Sequence, residues 1–249
     1  MDVRVFASPE ALAKAVATEL SRRLLGGAPW PLGLATGRTM EPVYGHLCQQ
    51  LKAHGSGDAL AGIRQRWSSF NLDDYVGLDA ADPGSFAAYV RRQLEEPLEL
   101  PPGACDGPRG EASDPQIEAR AYGERVAAAG GLGLQLLGLG LNGHVAFNEP
   151  PSPRDCTARV VTLSPSTRLS NAGGFDTAAA VPARAITLGL KEILSARELW
   201  LVVNGTAKAS VLARALRQPA AADCPASWLQ QHPRFTVWAD AMAAAGLQG

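Results

Sequence analysis

LGLGLNGHVAFNEP, residues 137–150, opens as a buried strand and closes as a polar turn. Leu134, Leu136, Leu137, Leu139 and Leu141 form a short apolar run, with Gly138, Gly140 and Gly143 inside it and just after it. Asn142, His144 and Glu149 follow within a few residues. A strand that is apolar on both faces belongs in a parallel sheet covered by helices on each side. Open parallel sheets bind ligands beyond the carboxyl ends of their strands. An amide, an imidazole and a carboxylate at such an end therefore read as chemistry delivered to a crevice.

The rest of the chain repeats this alternation. Strands are expected at Val3–Phe6, Pro31–Ala35, Gln65–Phe70, Leu132–Leu139, Ala158–Leu163, Ala185–Leu188, Leu199–Val203 and Phe235–Trp238. Helices are expected between them. Ser8 caps the first, with Pro9 at its first position, and Gly26-Gly27 stop it after Leu25. Others fall near Met40–Leu51, Ser85–Glu96, Gln116–Ala129, Lys191–Ala196, Thr206–Arg217, Ala226–Gln231 and Asp240–Ala245. Residues 97–114 are rich in proline and glycine and read as a loop. No repeat or long linker divides the chain. The fold class expected is α/β: one domain over 1–249, doubly wound, with a mostly parallel sheet and helices on both faces in a Rossmann-like three-layer arrangement.

Composition narrows the function. The chain has 249 residues, 46% of them apolar, and a formal net charge of −1 without a basic or acidic block. No charge pattern supports binding of nucleic acid or an anionic membrane surface. Cys48, Cys105, Cys156 and Cys224 are widely spaced, which fits neither a zinc site nor a disulfide framework. The start, MDVRVFASPEALAKAV, lacks an apolar signal core, and Ala127–Leu141 is short for a membrane span. A soluble, cytoplasmic protein with no metal and no cofactor is expected.

Four strand ends carry polar residues. Ala35-Thr36-Gly37-Arg38-Thr39 turns into a helix; its amides, the hydroxyls of Thr36 and Thr39, the turn at Gly37 and the charge of Arg38 suit a phosphate. The plain alternative is an ordinary capped turn. It is neither a GxxxxGK[ST] loop nor a GxGxxG fingerprint. Asn71-Leu72-Asp73-Asp74-Tyr75 places two carboxylates side by side, one to enter the crevice and one to brace the turn. A carboxylate in a desolvated crevice has a raised pKa and acts as a base; the alternative is a solvated acidic turn. In the third, His144 suits proton transfer, Glu149 suits fixing its tautomer, and Asn142 suits orienting the ring or the substrate; the alternative is a buried histidine satisfied by backbone. His46, His54 and His232 have no such setting and read as structural. In Asn204-Gly205-Thr206-Ala207-Lys208, a lysine in the first turn of a helix opposes the helix dipole unless an anion lies beside it. A plain surface lysine is the alternative. Together the four imply a sugar phosphate and proton transfers.

These residues resemble the glucosamine-6-phosphate deaminase (isomerase) family. The resemblance runs through LGLATGRTMEPVYGHL, FNLDDYVGL, LGLGLNGHVAFNEP and PASWLQQHP, in the family's order and over nearly the whole chain. GHVAFNEP is its most specific part. The related 6-phosphogluconolactonases also carry GH after a similar strand, without AFNEP. The resemblance implies that His144, with Glu149 and Asn142, opens the pyranose of glucosamine 6-phosphate. It implies that Asp73 moves the C2 proton to C1, and that hydrolysis then gives fructose 6-phosphate and ammonia. Thr36, Gly37, Arg38, Thr39 and Lys208 would hold the phosphate. The partner expected is a small sugar phosphate, and the assembly a monomer or small homo-oligomer.

Several positions depart from that pattern. Asn142 stands where many members carry Asp. Gly173 stands where the family usually has a phosphate-gripping arginine, for which Arg38 is the first substitute, with Arg168 and Arg184 behind it. Phe86 replaces a common Tyr. The segment from about 157 to 182 resembles a mobile lid, with Gly173-Gly174 as a hinge. The C-terminal extension of allosteric members is missing, so allosteric activation is not expected. The competing readings are a lactonase, a deaminase of the galactosamine epimer, and a non-catalytic sugar-phosphate sensor. Asp73 separates the first, because an isomerase needs a base at C2 and a lactonase does not.

Overall fold

The computed structural model describes residues 1–27, 31–54, 57–175, 177 and 180–247. The side chain of His54 and positions 176 and 178–179 of the expected lid lie outside the described residues. The strands are β1 (Asp2–Phe6), β2 (Leu32–Leu34), β3 (Ser69–Asn71), β4 (Asp73–Tyr75), β5 (Cys105–Asp106), β6 (Leu134–Leu137), β7 (Arg159–Thr162), β8 (Arg184–Thr187), β9 (Leu199–Val203) and β10 (Phe235–Asp240). The helices are α1 (Pro9–Leu25), α2 (Met40–His54), α3 (Gly57–Arg66), α4 (Phe86–Val90), α5 (Glu96–Leu98), α6 (Pro115–Ala128), α7 (Pro165–Ser170), α8 (Leu190–Leu194), α9 (Ala209–Arg217) and α10 (Ala241–Ala244). A π-helical turn, Arg91–Glu95, joins α4 to α5. No described helix is long and apolar enough to cross a membrane.

Seven strands make one parallel sheet in the order β1-β10-β9-β6-β2-β3-β5. Its centre is the most apolar part. All five residues of β9 (LWLVV) and all four of β6 (LQLL) are buried. Helix α1 covers one face because Leu12, Val16, Ala17, Leu20 and Leu24 recur at helical spacing and are all buried. Each such leucine contributes about 1.5–3 kcal/mol by leaving water. The Ser8 hydroxyl accepts the Ala11 N–H and starts that helix.

Three expectations change, the shortest being that residues 97–114, expected as a loop, supply the edge strand β5. The stretch expected to begin a strand at Gln65 ends helix α3 first, and β3 starts at Ser69. Helix α3 escapes a sequence reading because GDALAGIRQR buries only Ile63 among its described residues and shows no clear apolar stripe. The strands expected at 158–163 and 185–188 exist as β7 and β8, but they do not enter the parallel sheet. With β4 they form a separate antiparallel sheet in the order β4-β8-β7. They cover a smaller core of Tyr75, Phe147, Leu163, Val181 and Ala185. Strand β7 is only half-buried, as suits an antiparallel sheet with one covered face.

The two sheets meet at Leu72. Its N–H donates to the Leu34 carbonyl of the large sheet, and its carbonyl accepts the Leu188 N–H beside the small one. The chain thus leaves β3, passes Leu72, and turns Asp73 into the crevice between the sheets. Strands β9, β6, β2 and β3 are consecutive neighbours in the large sheet. Their carboxyl ends are the four polar segments singled out by sequence, now side by side.

Candidate active site

A cleft of about 490 Å3 lies over those strand ends. Thr36, Gly37, Arg38, Thr39, Asp73, His144 and Lys208 all line it. Leu72, Phe86 and Phe147 give it an apolar wall, and Ser170 and Asn171 reach it from the end of α7.

Asp73 is 4% exposed. Strand pairing sets it opposite Thr187, whose hydroxyl accepts the Phe147 N–H at 3.2 Å. Burial, and then the charge of Asp74, push the Asp73 carboxyl well above the usual range; the Phe147 N–H opposes this. Asp74 has the other role. Its carboxylate accepts N–H groups from Tyr75, Phe86 and Ala87 at 2.8–2.9 Å, fixing the start of α4, and burial raises it to about 6. Alternation along the strand thus gives one carboxylate to the cleft and the other to the scaffold.

His144 is held by a strained loop. Gly143 has φ +87°, and Ala146 sits in the left-handed region at φ +51° despite its Cβ, at a cost of about 1–3 kcal/mol. A Cβ on Gly140 would lie 2.3 Å from the imidazole, so only glycine lets the ring rest against the strand end. From below, PASWLQQHP braces the loop: the Ala226 N–H donates to the Gly143 carbonyl at 2.8 Å, and Cys224 packs under Gly143. Nδ1 of His144 is buried and has no hydrogen-bond partner among the described residues. Burial lowers the ring to about 4, assisted by Lys208 and opposed by Glu149. The imidazole is neutral at neutral pH.

Asn142 and Glu149 stand behind the cleft and do not line it. The Asn142 side-chain oxygen accepts the His144 backbone N–H at 3.2 Å, so it orients the loop and not the ring. Glu149 does not bond the imidazole, contrary to expectation. Its carboxylate accepts the N–H and the hydroxyl of Ser164, each at 3.0 Å, and the Thr167 hydroxyl. The start of α7 offers unpaired N–H groups and a positive dipole end, which attract the carboxylate. Glu149 reaches His144 only through its charge.

The other end of the cleft is cationic. Gly37 turns at φ +102°, and its carbonyl accepts the Tyr89 hydroxyl at 3.0 Å. Burial and the nearby Arg38 guanidinium lower the Lys208 pKa. Among the described residues neither Arg38 nor Lys208 has an acidic partner in an ion pair. Two cations facing one cleft repel each other until an anion lies between them. Lys208 lies in a 3-10 turn, Thr206–Lys208, just before α9 and not in its first turn. Gly173, Arg168 and Arg184 do not line the cleft, so Arg38 is the arginine at this site. His46 pairs with Glu10 at 2.8 Å and buried His232 with the Ala196 carbonyl at 2.8 Å, both away from the site.

Sequence reasoning missed Asn171 and Ser170 as lining residues, and the apolar wall. Asn204 also lines the cleft; in its polar segment only Lys208 has a role that the sequence suggests. Asn171 follows a helix and lies far along the chain from the four strand ends, which hid it.

Known proteins point the same way. A glucosamine-6-phosphate deaminase of Streptomyces avermitilis is 44% identical over 92% of this chain and 87% of its own. One from Streptomyces coelicolor is 39% identical over 100% of this chain and 93% of its own. A solved monomeric glucosamine-6-phosphate deaminase superposes with a TM-score of 0.92 at 33% identity, covering 99% of this chain and 100% of that one. The 6-phosphogluconolactonase of Trypanosoma brucei shares the fold, with a TM-score of 0.74 at 21% identity over 99% of this chain and 98% of its own. The family description "Glucosamine-6-phosphate isomerases/6-phosphogluconolactonase" matches residues 7–238, and the chain belongs to that family.

Proposed function

We propose that this chain converts glucosamine 6-phosphate and water to fructose 6-phosphate and ammonia. The observation that carries the reading is Asp73, a buried carboxylate facing the same cleft as a neutral His144 and a cationic end. Lactone hydrolysis needs an activated water and no base at C2. Aldose–ketose isomerisation needs a carboxylate that takes a carbon-bound proton and gives it back, and a raised pKa suits that exchange.

The steps follow from the residues. Arg38 and Lys208 hold the phosphate, with Thr36 and Gly37 at the turn. Neutral His144 takes the anomeric hydroxyl proton and returns a proton to the ring oxygen, which opens the pyranose. Asp73 removes the C2 proton, giving an enolamine, and delivers it to C1. The imine now at C2 adds water and expels ammonia. Glu149 assists by its negative charge, which favours the protonated imidazole, and Asn142 by holding the His144 loop. The segment from about 157 to 182 acts as the lid of a single domain, bringing Asn171 over the sugar.

The test is purified protein with glucosamine 6-phosphate, assayed for ammonia and fructose 6-phosphate together. Equal amounts of both are expected. Hydrolysis of 6-phosphogluconolactone without ammonia release from the amino sugar would replace this reading with the lactonase. Galactosamine 6-phosphate, run in parallel, separates the epimers.

A further inference from the structure

Strand β9 passes into the turn Asn204-Gly205-Thr206-Ala207-Lys208 at the cationic end of the cleft. Two of its backbone donors face away from any ligand. The Gly205 N–H is shared by both carboxylate oxygens of buried Asp240, each at 3.1 Å. The Lys208 N–H donates to the Gly205 carbonyl at 3.1 Å. Asn204, Gly205 and Lys208 of this turn line the cleft, the first and last with polar side chains.

The Asn204 amide is held in one orientation. Its Oδ1 accepts the Thr39 hydroxyl at 2.8 Å, across the cleft floor from the Gly37 turn. With the oxygen engaged there, Nδ2 keeps two N–H groups that no described residue accepts. An anion between Arg38 and Lys208 favours this same orientation, because the opposite one would present a carbonyl oxygen to it. The bond also uses the one Thr39 hydroxyl proton, so Thr39 is not itself a donor to an anion.

We propose that Asn204 is a further ligand of the substrate's phosphate, donating from Nδ2, and that Thr39 is the positioning residue behind it. The substrate's identity rests on the deaminase reading; the anion site does not. A hydrogen bond to a charged group is worth about 1.5–3 kcal/mol, or roughly 10- to 100-fold in affinity.

The experiment is calorimetric titration of inorganic phosphate into the full chain, with steady-state kinetics on glucosamine 6-phosphate. Asn204→Leu should weaken phosphate binding about 10-fold or more, and Asn204→Asp, equal in shape but negative, more strongly still. Thr39→Val should weaken it about 3- to 10-fold, and Thr39→Ser, which keeps the hydroxyl, should restore most of that. In each case KM should rise with kcat changed less than about 3-fold, the pattern of lost uniform binding. Circular dichroism and the unfolding temperature establish that each variant is folded; should Asn204→Leu fail, Asn204→Asp carries the test. Wild-type phosphate affinity in a folded Asn204 variant overturns the assignment, as does a wild type that binds no phosphate. Phosphate binding that depends on Asn204, in a protein that releases no ammonia from the amino sugar, leaves Asn204 in place and removes the deaminase reading instead.

Discussion

Gly140 and the imidazole of His144 touch so closely that a Cβ on residue 140 would lie 2.3–2.4 Å from three atoms of the ring. Gly140→Ala must therefore displace the ring, since the three atoms nearest the added Cβ all belong to the imidazole. A displacement of about 1 Å costs on the order of 10²-fold in rate. A kcat at least about 10²-fold down is expected, with phosphate affinity unchanged because the cationic end is untouched. Equal activity in Gly140→Ala would show that the position of His144 is not critical.

Asp73→Asn should separate activity from stability. Turnover should fall by about 10²–10⁴-fold, the scale of a general base. Stability should rise. The folded-state pKa of Asp73 lies above its unfolded value, so its favourable contribution is complete below about 3.8 and is lost as pH rises toward the folded value. The amide carries no such penalty. The gain in unfolding temperature should be small near pH 4 and larger near pH 8, and a gain independent of pH would contradict the buried, ionisable role.

His144 acts on stability in the opposite direction. Its pKa is lowered by burial from 6.5 to about 4. A depressed folded-state value means that the neutral ring's contribution is complete above about 6.5 and is lost as pH falls toward 4. The loss is on the order of 3 kcal/mol at most across that window. His144→Gln should flatten this part of the curve of stability against pH while removing activity. Denaturant titrations at several pH values between 4 and 7 measure it.

The alternation of the fold was legible because its central strands are buried on both faces, so their sequences are largely apolar: LWLVV in β9, and LQLL in β6 with one buried polar residue, Gln135. The small sheet was not. Strand β4 is Asp73-Asp74-Tyr75, a triplet with no strand character of its own, and it becomes one only because β8 pairs with it from far along the chain. The same distinction holds in the site. Asp73, His144 and Lys208 each announce themselves locally, as polar groups just past a buried strand. The bonds of Glu149 to Ser164 and Thr167, and of Thr39 to Asn204, join distant segments and leave no local trace.

Arg38→Ala should raise KM much more than it lowers kcat, since a grip on phosphate is the same in the ground and transition states. The unliganded protein should not suffer, because Arg38 only repels Lys208 there. The gain in unfolding temperature on adding millimolar phosphate should shrink, as linkage requires of a weakened site. An unchanged KM would place the phosphate elsewhere.

Glu149 has two tasks that can be told apart. Its carboxylate ties the catalytic loop to the start of α7, and its charge favours the protonated form of His144. Thr167→Val cuts one strand of the tie and keeps the charge. Glu149→Gln keeps the shape and much of the tie but removes the charge, so the His144 pKa should fall further and the imidazole should become a weaker base. Glu149→Gln should therefore lower kcat by about 10-fold or more and move the His144 titration, followed by NMR, to lower pH. Thr167→Val should leave that titration in place and change kcat by less than about 3-fold. Equal losses in the two variants, with the titration unmoved in both, would make Glu149 a tether of α7 alone.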